Sequence, residues 1–186
     1  MNNKIKVIGF AGSLRKNSYN KMLLRNIQKM FPQDMEMEII EMPDIPIYNY
    51  DIQESKGFPA SITEIGEKIK QADAVLFATP EYNYGIPGGL KNFIDWLSRL
   101  ESKPFFGKPM SMVGATTGLG GTIRAQANLR TVSLFIETNV MPKPEIYVTR
   151  AMEKFDKDGN LIDEITKKVL EKYIERFKEW ILIFKK

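Results

Sequence analysis

Short runs of apolar residues mark the positions of the strands along this chain. The run KIKVIGFA (4–11) is typical of a strand, and the continuously apolar run ADAVLFATP (72–80) indicates a strand with both faces covered by helices. The segment MEMEIIEM (35–42) begins as a strict apolar–charged alternation, which is the period of a strand. The pattern also predicts a fourth strand at PMSMVGAT (109–116) and a bent fifth strand over 140–148, where two prolines interrupt the apolar residues.

Between these strands, apolar residues recur every three or four positions, which is the spacing of one helix face. The helices that this spacing predicts cover residues 18–31, 61–71, 87–100, 121–135 and 161–184. The apolar seam of the last helix is predicted at Ile165, Val169, Tyr173, Phe177, Trp180 and Phe184. Residues 43–60 contain three prolines and are predicted to form a loop.

Strands and helices therefore alternate along the chain. That alternation predicts an α/β fold, a doubly wound parallel sheet of five strands between two layers of helices. Neither an internal repeat nor a linker-like segment divides the chain, so we expect residues 1–186 to form a single domain. Ligands of such folds bind at the carboxyl ends of the strands, near the point where the strand order reverses. The loops after the first, third and fourth strands are therefore the candidate functional site.

The composition excludes several kinds of chemistry. The 186 residues include neither cysteine nor histidine, which excludes thiol nucleophiles, disulfides, iron–sulfur clusters, Cys/His zinc sites and imidazole-based triads. An enzyme with this composition must use carboxylates, Lys, Tyr, Ser or Thr, or a borrowed cofactor. A borrowed redox group is the economical choice, because the cofactor then carries the difficult chemistry. No metal site is predicted.

The charge distribution argues against nucleic acid as a partner. Lys and Arg number 27 against 23 Asp and Glu, a net charge of +4, and much of the surplus is interleaved with acids near the C-terminus. Such a mixture is typical of the solvated face of a helix rather than of a basic stripe. The N-terminus lacks a signal-peptide pattern, and the apolar runs fall short of the roughly 20 residues that a membrane span needs. We expect a cytoplasmic protein with no membrane partner.

The loop after the first strand, GSLRKNSYN (12–20), combines hydroxyl and amide groups with two cations and leads directly into a helix. Arg15 and Lys16 would crowd the positive end of the helix dipole unless an anion lay there, so the loop favours a bound phosphate. The alternative is a capped turn with Ser18 as N-cap, which needs no positive charge. The loop has neither the Walker pattern nor the G-x-G-x-x-G spacing of dinucleotide folds.

The other two loops indicate a flat ligand. TPEYNYGIPGGLKN (79–92) has two prolines and three glycines that fix its backbone, together with tyrosine and asparagine side chains that suit a planar heterocycle. The alternative for this loop is a subunit interface. TTGLGGT (116–122) is a glycine-rich turn whose N–H groups can face acceptor atoms. Its predicted position at the same edge of the sheet supports a part in the same ligand site.

These three loops closely resemble the NADPH-dependent FMN reductase family, which includes flavin-binding quinone, azo and chromate reductases. The matching segments are GSLRKNSYN (12–20), TPEYNYGIPGGLKNFIDW (79–96) and TTGLGGTIRAQANLR (116–130). The resemblance implies a flavodoxin-like, three-layer fold and an FMN-binding domain that covers nearly the whole chain. The cofactor-binding residues that it implies are Ser13, Arg15, Ser18 and Asn20 for the phosphate, Pro80, Glu81, Tyr82 and Asn83 for the isoalloxazine and ribityl parts, and Thr116, Thr117 and Gly118 for the ring.

The resemblance also implies the reaction. NADPH or NADH would pass hydride to bound FMN and leave, and a small acceptor (a quinone, an azo compound, a free flavin or an oxidised metal such as chromate) would then take two electrons in the same slot. No side chain need be catalytic. Members usually form homodimers, and some form homotetramers. The helix at 87–100 is a candidate interface because Phe93, Trp96, Leu97 and Leu100 supply apolar contact; the alternative is that this helix face packs on the sheet.

Two other functions fit the same cofactor: a flavodoxin-type electron carrier and a non-enzymatic flavin or nucleotide sensor. Carriers usually have acidic surfaces, whereas the isoelectric point of this chain is about 9.1. Three residues keep open roles. Tyr48 and Tyr50 would wall the slot, or belong to a packed surface loop or a subunit contact. Arg124 would contact the nicotinamide dinucleotide phosphate or a neighbouring subunit.

Overall fold

The computed structural model describes residues 4–185, in which helices alternate with parallel strands. The strands are β1 (Ile5–Ala11), β2 (Met35–Ile40), β3 (Ala74–Ala78), β4 (Pro109–Ala115), β5 (Asn139–Val140) and β6 (Ile146–Val148). The helices are α1 (Tyr19–Met30), α2 (Tyr50–Lys56), α3 (Ala60–Gln71), α4 (Gly88–Ser98), α5 (Ile123–Phe135), α6 (Ala151–Lys154) and α7 (Glu164–Phe184). The sequence therefore predicted the first four strands and five of the helices within a few residues.

All strand pairs are parallel, and the spatial order is β2-β1-β3-β4-β5. This order confirms the flavodoxin-like, doubly wound sheet, and it reverses between β1 and β3. The fifth position holds two short strands instead of one bent strand. β5 pairs with the start of β4 and β6 with its end, because Pro142 and Pro144 lie between them and cannot donate to a ladder.

Helices cover both faces of the sheet. One apolar core lies between the sheet and helices α1 and α7, and the other lies between the sheet and helices α3, α4 and α5. Every residue of β3 and of β4 is buried, as the apolar run at 72–80 predicted for the central strands. The described residues thus form two layers of helices with one sheet between them, while the assignment of residues 1–186 to a single domain stays a prediction.

The segment predicted as a loop, residues 43–60, contains helix α2. Asn49 caps it by accepting a hydrogen bond from the N–H of Asp51 at 2.8 Å, and Gly57 ends it with a φ of 74°. No residue of α2 is buried, so the helix leaves no apolar period in the sequence.

The predicted seam of the last helix was partly wrong. Tyr173 and Phe177 are buried, but Ile165 is 75% exposed and Val169 is 45% exposed. The side chains that α7 buries are Thr166, Leu170, Tyr173, Ile174, Phe177 and Ile181. Two neighbouring apolar stripes run along this helix, and only packing against the sheet decides which of them is covered.

The four apolar residues predicted as an interface on α4 are buried inside the chain. Phe93, Trp96 and Leu97 are at most 1% exposed, and Leu100 is 8% exposed. They pack against α3 and the sheet. The alternative prediction, that this face of the helix packs on the sheet, is therefore confirmed, and these four side chains are not available for a subunit contact. Within residues 4–185, no helix is long and apolar enough to cross a bilayer.

Candidate active site at the carboxyl edge of the sheet

The three predicted loops come together where the strand order reverses. The N–H of Gly12 donates to the carbonyl of Ala78 at 2.8 Å, which ties the loop after β1 to the end of β3. The N–H of Thr79 donates to the carbonyl of Val113 at 3.0 Å, which ties the loop after β3 to β4. The leucine at 90 lies so close to Gly12 that an added Cβ there would be 2.8 Å from Leu90 Cδ2. The loops therefore form one continuous rim.

The loop after β1 presents cations beside a helix N-terminus. Ser18 is the N-cap of α1, and its Oγ accepts from the N–H of Asn20 at 3.2 Å. Arg15 and Lys16 are exposed, and neither forms an ion pair with another described residue. The first turn of α1 contains no acidic residue. Ser18 thus caps the helix, as the alternative interpretation predicted, and the positive charge of the loop has no ion-pair partner within residues 4–185.

The side chain of Asn20, unlike those of Arg15 and Lys16, forms hydrogen bonds with β4. Its Nδ2 donates to the carbonyl of Ala115 at 2.9 Å, and its Oδ1 accepts from the N–H of Ala115 at 2.9 Å. Asn20 is only 3% exposed. The amide therefore clamps the start of α1 to the end of β4, so Asn20 serves the site by joining two loops.

We expect Asn20→Ala to lower the free energy of unfolding by about 2 kcal/mol, because it leaves the buried N–H and C=O of Ala115 without partners. Urea denaturation measures this change. Asn17→Ala is the matched control, because Asn17 is an exposed asparagine of the same loop. Equal stability of the two variants would show that the clamp contributes nothing.

The loop after β3 ends in a tight turn that holds two residues in the left-handed region. Tyr82 and Gly85 exchange backbone hydrogen bonds of 3.1 and 2.9 Å. Between them, φ is 50° at Asn83 and 66° at Tyr84. Asparagine tolerates this conformation, whereas a bulky tyrosine adopts it only at a cost that its surroundings must offset. The side chains of Tyr82 and Tyr84 are exposed, and an open cavity of about 500 Å³ is lined by Glu81, Asn83 and Tyr84.

The remaining predicted residues of this loop are less accessible. Pro80 is buried, and its carbonyl accepts from the hydroxyl of Thr79 at 2.9 Å. The carboxylate of Glu81 points towards α5, where Oε2 accepts from the N–H of Arg124 at 2.9 Å. Oε2 of Glu81 is therefore occupied by the start of α5, while the residue still lines the cavity.

The loop after β4 lies beside the other two. Thr117 and Gly118 are exposed, and Thr116 is half-buried. The loop is held from below, because Thr116 accepts from the N–H of Ala151 at 2.9 Å and Gly118 accepts from the N–H of Arg150 at 3.2 Å. Its backbone is thus fixed while its outer surface stays open.

Gly114, within β4, leaves room for Thr122 at the end of this loop to pack against the strand. A Cβ on Gly114 would lie 1.8 Å from Thr122 Oγ1 and 2.8 Å from the carbonyl oxygen of Thr79. Thr122 occupies that space with a φ of 69°, a strained value for a β-branched residue. Sequence reasoning missed both residues. The signal for one of them was a glycine inside a continuously apolar strand, which often marks a close approach.

The structure locates all three residues with open roles. Tyr48 packs edge-on against Trp96 with ring centroids 5.1 Å apart, and its N–H donates to Asn92 Oδ1 at 2.7 Å. Tyr48 therefore belongs to the packed surface between residues 43–58 and α4. Tyr50 begins α2 and is 59% exposed. The guanidinium of Arg124 lies 4.1 Å from the ring centroid of Tyr84 and 3.6 Å from Glu81.

A second cavity, of about 520 Å³, lies at the opposite, amino edge of the sheet. Two of the four cations that line it, Lys108 and Lys185, are bonded within the fold. Lys108 Nζ donates to the carbonyls of Lys70 and Ala72 at the end of α3, where burial lowers its pKa, and Lys185 pairs with Asp73 at 3.0 Å. Cations at helix C-termini complement the dipole, which explains Lys108 and Lys185 without a ligand. No three acidic residues cluster closely enough to hold a metal within residues 4–185.

The carboxyl edge fits a phosphorylated ligand with a planar ring, such as FMN. Among the described residues, the cations of the first loop form no ion pair; Ser13 and Ser18, which precede and follow them in the chain, are each only 3% exposed. The backbones of the second and third loops are fixed, and their outer surfaces are open. This is the donor set that a phosphate and a heterocycle require.

Comparisons with known proteins point to the same chemistry. The model of the family described as NADPH-dependent FMN reductase matches residues 5–153. The chain is 40% identical over 181 residues to an NAD(P)H-dependent FMN reductase of Pseudomonas aeruginosa, with 97% of both chains covered. It is 42% identical over 183 residues to a quinone reductase of Escherichia coli K12, again with 97% of both covered.

A solved structure is also similar over the whole fold. The flavoenzyme NAD(P)H:(acceptor) oxidoreductase FerB from Paracoccus denitrificans superposes with a TM-score of 0.87 at 36% identity, over 96% of this chain and 98% of that one. The family match spans most of the chain, and these relatives share its full length. The chain therefore belongs to the NADPH-dependent FMN reductase family.

Proposed function

We propose that this protein is an FMN-dependent oxidoreductase that takes hydride from NADPH or NADH and passes two electrons to a small acceptor, such as a quinone, an azo compound, a free flavin or an oxidised metal. The observation that carries the proposal is the unpaired cationic loop beside the N-terminus of α1, at the reversal point of the sheet. Relatives named NAD(P)H-dependent FMN reductase and quinone reductase support it.

In this proposal each loop holds one part of FMN. Ser13, Arg15 and Ser18 bind the phosphate. The second loop, with Pro80, Tyr82 and Asn83, contacts the ring and the ribityl chain, and the third loop contacts the ring through Thr116, Thr117 and Gly118. Asn20 and Glu81 keep their side-chain contacts within the protein.

Bound FMN supplies a redox centre that accepts hydride and returns two electrons. The chain's own part is binding and orientation. Arg15 neutralises the phosphate, and backbone N–H groups of the loops stabilise negative charge as it develops. Tyr82 and Tyr84 leave the rim open to solvent, so reductant and acceptor can use the same slot in turn. With neither histidine nor cysteine in the chain, no side chain is assigned a proton transfer.

Anaerobic titration tests the reaction. We expect FMN-loaded protein to lose its visible flavin absorbance rapidly on addition of NADPH or NADH and to regain it on addition of a quinone. A flavodoxin-type carrier would stay yellow with either nicotinamide. Protein that binds FMN but turns over no quinone, azo dye or flavin would be a sensor.

The proposal includes a homodimer and a cytoplasmic location, both expected from the sequence. Because the apolar side chains of α4 are buried, the dimer contact must use other groups. Ile47 and Tyr50, which are 82% and 59% exposed beside α4, are the candidates. Sedimentation equilibrium of the purified protein distinguishes a monomer, a dimer and a tetramer.

A further inference from the structure

Helix α5 begins without a cap of its own. An N-cap side chain normally accepts a hydrogen bond from the second or third N–H of its helix. Thr122, the N-cap residue of α5, is in the left-handed region and makes no such bond. Its hydroxyl lies against Gly114 and accepts from Gln126 Nε2 at 3.1 Å. The second and third N–H groups of α5, at Arg124 and Ala125, must therefore find another acceptor.

Glu81 supplies that acceptor from the neighbouring loop. Its Oε2 accepts from the N–H of Arg124 at 2.9 Å and from the N–H of Ala125 at 3.1 Å. Its side chain is only 14% exposed. A carboxylate at a helix N-terminus also interacts favourably with the helix dipole. One side chain thus joins the loop after β3 to the helix that follows the loop after β4.

The other oxygen of Glu81 faces the strained turn. Oε1 lies 3.6 Å from Arg124 Nη1, and the guanidinium stacks 4.1 Å from the ring centroid of Tyr84. Tyr84 is the residue that adopts a φ of 66°. The stack gives Tyr84 a favourable contact in that conformation, which offsets part of the backbone cost.

We propose that Glu81 is a positioning residue. Its carboxylate caps α5 across the loops and holds Arg124 over Tyr84, so that the Asn83–Tyr84 turn has one conformation before any ligand binds. Arg124 and the helix dipole balance the charge of Glu81, which therefore has little influence on a neighbouring redox group. The effect on FMN rests on the proposed function, whereas the capping does not.

Amide hydrogen exchange in the protein without FMN tests the capping. We expect Glu81→Ala to lower the protection of the Arg124 and Ala125 amides roughly tenfold, in line with the loss of an N-cap. Glu81→Gln keeps an acceptor oxygen and is expected to retain most of that protection. Amides of β1 are the control for a correctly folded variant. Unchanged protection at Arg124 and Ala125 in Glu81→Ala would overturn the proposal.

FMN titration and potentiometry test the positioning. We expect Glu81→Ala to raise the Kd for FMN roughly tenfold, with Glu81→Gln restoring most of the affinity, and to leave the reduction potential of bound FMN unchanged. A higher potential in both variants would mean that the carboxylate acts directly on the flavin, against the proposal. If the unaltered chain bound no FMN while the exchange result held, the proposed function would fail and the capping would stand.

A double-mutant cycle tests the part played by Arg124. Glycine adopts positive φ without support, so Tyr84→Gly should make the stack unnecessary. We expect Arg124→Ala to weaken FMN binding in the parent chain and to have little effect in the Tyr84→Gly background. An equal loss in both backgrounds would mean that Arg124 contacts the ligand itself, which would contradict its positioning role.

Discussion

Arg15→Ala is expected to raise the Kd for FMN by about 10- to 150-fold. The reason is the loss of a charge-assisted hydrogen bond to phosphate, which contributes roughly 1.5–3 kcal/mol. Arg15 has no ion pair among the described residues, so its charge is free to bind an anion. Quenching of flavin fluorescence on titration of the protein measures the Kd. Riboflavin lacks the phosphate, so its binding should hardly change.

Arg25→Ala is the matched control. Arg25 is exposed in the middle of α1, so its removal changes the net charge equally without touching the loop after β1. We expect its FMN affinity to stay close to that of the parent chain. If Arg15→Ala kept full flavin occupancy, or if both variants lost affinity equally, the assignment of the phosphate to this loop would be wrong.

Gly114→Ala is expected to lower the free energy of unfolding by about 3 kcal/mol and to abolish FMN retention. Overpacking of a filled core costs roughly 1–3 kcal/mol, and here the new Cβ would meet Thr122 Oγ1 at 1.8 Å and a backbone oxygen at 2.8 Å. Thr122 would have to leave its position, and the start of α5 would move with it. Urea denaturation and FMN titration measure the two effects.

Gly88→Ala is the control for this substitution, because a Cβ at Gly88 meets nothing within 4 Å. A second variant, Gly114→Ala with Thr122→Gly, removes the obstructing side chain and places glycine at a φ of 69°. We expect it to regain much of the lost stability. A fully stable Gly114→Ala single variant would show that Thr122 can leave this space at little cost.

The sequence predicted most of the fold because apolar periodicity is a local signal. The central strands bury a continuous apolar run, and helices α1, α3 and α4 each bury a single apolar face, so the local sequence pattern indicates which side chains are covered. Helix α2 was missed for the converse reason, since a helix that buries nothing has no such period. On α7 two apolar stripes had similar spacing, and the chain alone could not distinguish the covered one.

The candidate site, too, could be predicted from the sequence only in part. Its place was predictable from three loops rich in glycine, proline, hydroxyl and cationic residues, because parallel strands bring their carboxyl ends to one edge. What each side chain does there depends on partners that are distant in the chain. Asn20 is bound to Ala115, 95 residues away, and Glu81 to Arg124, 43 residues away.

The sequence by itself thus determined the three layers of the fold, the carboxyl edge of the sheet as the site, and a phosphorylated ligand with a planar ring. These follow from local patterns of residue type. Only the tertiary structure decided which polar groups of the rim are free for that ligand. The side chains of Asn20 and Glu81 already bond to backbone groups of β4 and α5, whereas Arg15 forms no ion pair with another described residue. A buried polar group must find a partner wherever the fold brings one, and no local pattern names that partner in advance.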